Sequence, residues 1–85
     1  MRYTYVLQSL KDNRLYTGST IDLKKRIKDH NEGKVSSTRG RGQFVLIYYE
    51  ACLNDHDARV REKYLKSGMG KRYIKNRLKN FLVKK

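Results

Sequence analysis

The sequence predicts an α+β domain: a three-stranded antiparallel sheet flanked by helices, in the order β-β-α-β-α-α. Three observations lead there. Two short aromatic runs lie on either side of a polar turn, a strongly apolar run follows in mid-chain, and three stretches carry helical periodicity. The 85 residues suffice for one domain, residues 1–85, with one modest core.

The first strand covers residues 2–8, where Tyr3, Tyr5 and Leu7 alternate with Thr4, Val6 and Gln8 onto opposite faces. Lys11-Asp12-Asn13-Arg14 makes the turn, and residues 15–19 return as the second strand, ending at Gly18, where the backbone can approach a neighbour closely. Asp22 or Thr20 caps the next helix. Leu23, Ile27 and His30 then form one helical stripe with Arg26 beside it, and Gly33 closes the helix. Lys34 to Gln43 reads as a flexible basic loop. Phe44 to Glu50 is the most apolar run and is expected to be a buried central strand.

A second helix is expected over roughly Asp57 to Ser67, capped by Asn54 or Asp55 and closed by Gly68 and Gly70. Its stripe is Ala58, Glu62, Leu65 and Met69, which sets a carboxylate in line with apolar residues. A charge so placed needs a partner or a metal. Arg61 or Lys66 could neutralise it structurally; a bound cation is the functional alternative. Lys71 to Val83 reads as a third helix with Ile74, Leu78, Phe81 and Leu82 inward and Tyr73 and Asn76 toward the strands.

Charge points to the partner. Twenty-one Lys and Arg oppose eight acids, a net +13, and the positives are clustered. Lys71 to Lys85 holds seven of them and no acid, while Lys34, Arg39 and Arg41 lie in the acid-free loop. Such a field favours a polyanion, and nucleic acid is the expected partner class, with Lys34, Arg39, Arg41, Lys71, Arg72 and Lys75 as contacts. No run approaches the roughly 20 apolar residues of a membrane span, and the N-terminus does not read as a signal peptide. The lone Cys52 excludes an internal disulfide and suits a reducing, cytoplasmic setting as a small hydrophobe. There is no CxxC, P-loop or dinucleotide fingerprint.

The hairpin offers two tyrosine hydroxyls, and the first helix brings Arg26 and His30 toward them. Phenol, guanidinium and imidazole together suit phosphate chemistry. Tyr3-Thr4-Tyr5, Tyr16-Thr17-Gly18, Asp22-Leu23-xx-Arg26-xxx-His30-Asn31 and Ala58-xxx-Glu62-xx-Leu65-Lys66 resemble, in order and spacing, the GIY-YIG nuclease superfamily. The likeness covers nearly the whole chain; its size looks like that of the small stand-alone bacterial members, and the nuclease domain of the repair protein UvrC and the homing endonucleases are more distant, larger relatives.

That resemblance implies a metal-dependent endonuclease acting on DNA, with branched, damaged or single-stranded forms among its substrates. It implies that Glu62 binds one divalent cation, Mg²⁺ or Mn²⁺, and that Arg26 neutralises charge on the phosphoryl oxygens. Tyr5 and Tyr16 would orient the attacking water, one of them a candidate general base, with His30 as an easier proton acceptor at neutral pH. Gly18, Ser19 and Asn76 are supporting positions. Ser19 stands where repair-type members carry a lysine. Specificity would be absent, weak or supplied by a protein partner. The alternative is a basic nucleic-acid-binding module whose nuclease site is weak or inactive.

Overall fold

The computed structural model describes residues 1–83; Lys84 and Lys85 of the basic C-terminal run lie outside the described residues. Strands β1 (Arg2–Ser9) and β2 (Leu15–Thr20) form the hairpin, from Tyr3 opposite Thr20 to Gln8 opposite Leu15. The turn is tight because Asp12 Oδ1 accepts from the Arg14 N–H at 2.9 Å and Asn13 takes a positive φ of 62°. Strand β3 (Phe44–Cys52) pairs antiparallel with the other edge of β1, so the sheet order is β2-β1-β3.

The apolar run is therefore an edge strand, not the expected central one. β1 takes the centre despite its polar residues. Hydrogen-bonded on both edges and covered on both faces, it buries Thr4 through Ser9 without interruption. Ser9 Oγ donates to the Arg41 carbonyl at 2.8 Å and Gln8 Nε2 to that of Asn13 at 3.4 Å, while the buried Gln8 Oε1 has no hydrogen-bond partner among the described residues. β3 leaves Val45, Tyr49 and Ala51 exposed on its way.

Both faces of the sheet are covered, as the alternation in β1 requires. Tyr5 and Leu7 pack with Phe44, Tyr16 and Leu46 against Leu23 and Ile27 of α1 (Leu23–Asn31). Val6 packs on the other face with Leu65 of α2 (Asp55–Lys66) and Ile74 of α3 (Gly68–Arg77). A bulge helps here. Val6 pairs with Tyr48 but Leu7 with Leu46, so Ile47 is the extra residue, and both Ile47 and Tyr48 pack beside Val6.

The caps work as the residues suggest. Asp22 accepts from the Lys25 N–H at 3.1 Å and Asn54 from that of Asp57 at 3.0 Å. Gly33 leaves α1 with φ 75°. The expected end of the second helix is corrected. α2 stops at Lys66, Ser67 caps its end and also starts α3, and Gly68 and Gly70 lie inside α3's first turn. Gly70 is required by the crossing: a Cβ there would overlap the Tyr64 carbonyl and the Leu65 backbone.

The expected third helix is two, α3 and a short α4 (Lys79–Val83), giving β-β-α-β-α-α-α. Ile74 is buried and Leu78 and Leu82 are half-buried, but Phe81 is exposed. Met69 is also exposed, because the α2 stripe ends before reaching it. Among the described residues, no helix is long and apolar enough to cross a membrane.

Candidate active site

Pairing places the two tyrosines. Tyr5 lies opposite Gly18 and Leu7 opposite Tyr16, so Tyr5, Tyr16 and Gly18 share the α1 face. Gly18 makes room for the Tyr5 ring, which crosses above it: an added Cβ would run into the phenol, 2.6 Å from Cζ. The last turn of α1 then brings His30 onto both rings. Tyr5 Oη and His30 Nε2 are 2.8 Å apart, and the Tyr16 ring meets the imidazole edge-on at 5.1 Å between centroids. Tyr5 and His30 are both buried, whereas Tyr16 is half-buried, with its hydroxyl accepting from Ser37 Oγ at 3.2 Å.

The other imidazole nitrogen decides the tautomer. His30 Nδ1 lies 2.8 Å from Thr38 Oγ1, and the Thr38 hydroxyl donates to the Val35 carbonyl at 3.4 Å. Thr38 thus accepts from Nδ1–H, which leaves Nε2 a lone pair for the Tyr5 hydroxyl. Sequence reasoning missed Thr38. A buried imidazole needs a partner for each nitrogen, but spacing alone cannot choose among the neighbouring hydroxyls of Ser36, Ser37 and Thr38.

The loop is a fastened strap, not the flexible connector expected. Val35 and Thr38 are buried, and Asn31 ties its far end by accepting from the Phe44 N–H at 2.7 Å and donating to the Phe44 carbonyl at 3.2 Å. Its cations share in this. Lys34 pairs with Glu32 at 3.1 Å, Arg39 Nε donates to the Gly33 carbonyl at 3.0 Å, and Arg41 lies over the Phe44 ring at 5.4 Å.

Arg26 stands beside Tyr5, half-buried, with its buried Nε lacking a hydrogen-bond partner. Burial pushes the Tyr5 phenol above its usual range and outweighs the Arg26 guanidinium, which pulls it down; Tyr16 and the Glu62 charge push it further up. Burial also lowers His30, and the Arg26 charge lowers it again against a weaker pull from Asp29. Tyr5 therefore keeps its proton at neutral pH and His30 stays neutral.

Glu62 lies near enough to act on Tyr5, but its Oε2 is 3.0 Å from Lys66 Nζ. Arg61, one residue before Glu62, is engaged elsewhere: its Nε donates to Glu50 Oε1 at 2.6 Å and its guanidinium lies over the Tyr64 and Tyr73 rings. Among the described residues, no three His, Cys, Asp or Glu form a metal-holding group. A single carboxylate still fits Mg²⁺, which keeps most of its water and commonly takes one or two protein carboxylates plus substrate phosphates.

The remaining expected residues scatter. Ser19 pairs with Thr4 and turns to the opposite face from Tyr5, its buried Oγ without a hydrogen-bond partner. Asn76 lines a groove with Met69, Arg72 and Tyr73 that none of Tyr5, Tyr16 or His30 lines. Lys71 and Lys75 instead border a cavity of about 560 Å³ that also touches Tyr16.

The GIY-YIG catalytic domain is the family whose pattern matches, over residues 1–77. This chain belongs to the GIY-YIG family. Its GIY-YIG relatives include a UPF0213 protein of Clostridium perfringens, 49% identical over 67 residues, which span 78% of this chain and 71% of that one. A UPF0213 protein of Pediococcus acidilactici is 40% identical over 80 residues, 87% of this chain and 81% of the relative. The solution NMR structure of a UPF0213 protein from Bacillus halodurans superposes with a TM-score of 0.53 at 38% identity, covering 87% of this chain and 82% of that one. GIY-YIG domains are endonuclease domains that generally use divalent metal ions, and a nucleic-acid substrate follows from that chemistry.

Proposed function

We propose that this GIY-YIG chain is a cytoplasmic endonuclease that hydrolyses DNA phosphodiester bonds with Mg²⁺ or Mn²⁺. The observation that carries the reading is the 2.8 Å contact of Tyr5 Oη with His30 Nε2. A neutral imidazole, its Nδ1–H held by Thr38, offers its lone pair to a phenol. Hydrolysis must take one proton from water and stabilise charge on the phosphoryl and departing oxygens.

His30 is the final proton acceptor in this scheme. Tyr5 connects to it, and Tyr16, the less covered phenol, orients the water. Arg26, with an unpaired Nε–H, neutralises charge on the phosphoryl oxygens through its forked donors. Glu62 would hold the divalent ion together with phosphate oxygens and water, and that ion supplies Lewis-acid stabilisation of the departing 3′ oxygen when bound.

A plasmid assay tests this. Supercoiled DNA is nicked in Mg²⁺ or Mn²⁺, and Glu62→Ala lowers the rate by at least about a hundredfold while retention on DNA persists. Because His30 titrates below its ordinary 6.5, the rate falls only as pH drops under that value and is flat through neutrality. Undiminished cutting by Glu62→Ala would sink the assignment. A second reading, a binding module with an idle site, draws on the Lys66 ammonium already on Glu62; it is favoured if DNA is retained in a salt-dependent way and never cut.

A further inference from the structure

The cavity beside Tyr16 gathers cations from three elements: Arg14 from the β1–β2 turn, Lys66 from the end of α2, and Lys71 and Lys75 from α3. No acid lines it. Lys71 and Lys75 stand four apart and so share one face of α3. Tyr16 lines this cavity and its ring also meets His30, so one residue is common to both. Like charges converging on one concavity repel, and a chain of phosphates relieves them while releasing its own counterions.

Lys66 has two places to go. Its side chain is 52% exposed, lines the cavity, and holds Glu62 Oε2 at 3.0 Å. The Glu62 side chain is only 23% exposed, so the pair is open on the lysine side, and an i,i+4 ion pair open to solvent there is weakly held and easily exchanged. We propose that the cavity receives the sugar-phosphate backbone of the nucleic-acid strand next to the scissile bond, and that Lys66 passes from Glu62 to a phosphate there. The carboxylate is then freed for a divalent cation only when the strand is seated. That last consequence rests on the nuclease reading; the exchange of Lys66 does not.

The test needs neither metal nor cleavage. Binding of a short fluorescein-labelled DNA duplex to the full chain is followed by anisotropy in EDTA, with thermal melts checking that each variant folds. Glu62→Gln releases Lys66 and tightens binding about two- to fivefold. The same substitution in a Lys66→Met background changes nothing. Lys66→Met alone weakens binding and lowers the salt slope by about one, more than the exposed Lys28→Met on α1. Equal tightening by Glu62→Gln in both backgrounds would mean general repulsion and overturn the exchange, as would a Lys66→Met effect no larger than that of Lys28→Met. A chain that shows the coupling yet never nicks plasmid keeps the exchange and loses the nuclease reading.

Discussion

Gly18 is where the site is most easily broken by one atom. The Tyr5 phenol lies over its Cα, and a Cβ would sit 2.6 Å from Cζ of a ring that is fully buried. Gly18→Ala is expected to cost about 1–3 kcal/mol of overpacking and to move the phenol off His30. A lowered urea midpoint with reduced nicking checks it; an unchanged midpoint contradicts it. His30 makes a second prediction at this scale. Its folded pKa lies below the ordinary 6.5, so the unfolded chain takes the proton first as pH falls. The stability from neutral burial is complete above that value and is lost as pH drops through it toward the depressed one. Urea unfolding from neutral pH down to about pH 5 should decline less steeply in His30→Gln than in the wild type.

The strap between α1 and β3 behaves as an element in its own right. Asn31 makes two hydrogen bonds to the Phe44 backbone, and Thr38 and Ser37 reach the His30 and Tyr16 side chains. Asn31→Ala leaves the start of β3 unpaired on the site side, a loss of about 1–3 kcal/mol. Amide exchange should then rise first over residues 34–44; protection unchanged there would refute the strap. This element was illegible in sequence because its Ser, Gly and Arg composition is that of a loose loop. The helix starts at Asp22 and Asn54 were legible, since a cap depends on residues two or three away. The α2–α3 elbow was not, because a glycine such as Gly70 serves equally to end a helix or to let two cross.

Across the whole molecule, the +13 charge divides by position. Lys34, Arg39 and Arg41 brace the strap, Lys71 and Lys75 face the cavity beside Tyr16, and Arg72 lies in the groove with Met69 and Tyr73. Adjacent residues of α3 thus line different concavities. Lys75→Met should reduce the salt slope of DNA binding by about one, and Arg72→Met should leave it unaltered. Equal slopes for the two variants would deny the cavity its role.

The chain's own order of residues determined the strand alternation, the caps and the net charge, and it put forward the set Tyr5, Tyr16, Arg26, His30 and Glu62, because each follows from short-range pattern or from resemblance. Tertiary structure alone decided that polar β1 is central, that Thr38 sets the His30 tautomer, and that Glu50 draws Arg61 away and leaves Glu62 to Lys66. Those outcomes depend on which distant groups meet and which buried donors they satisfy, and no local spacing encodes such a meeting.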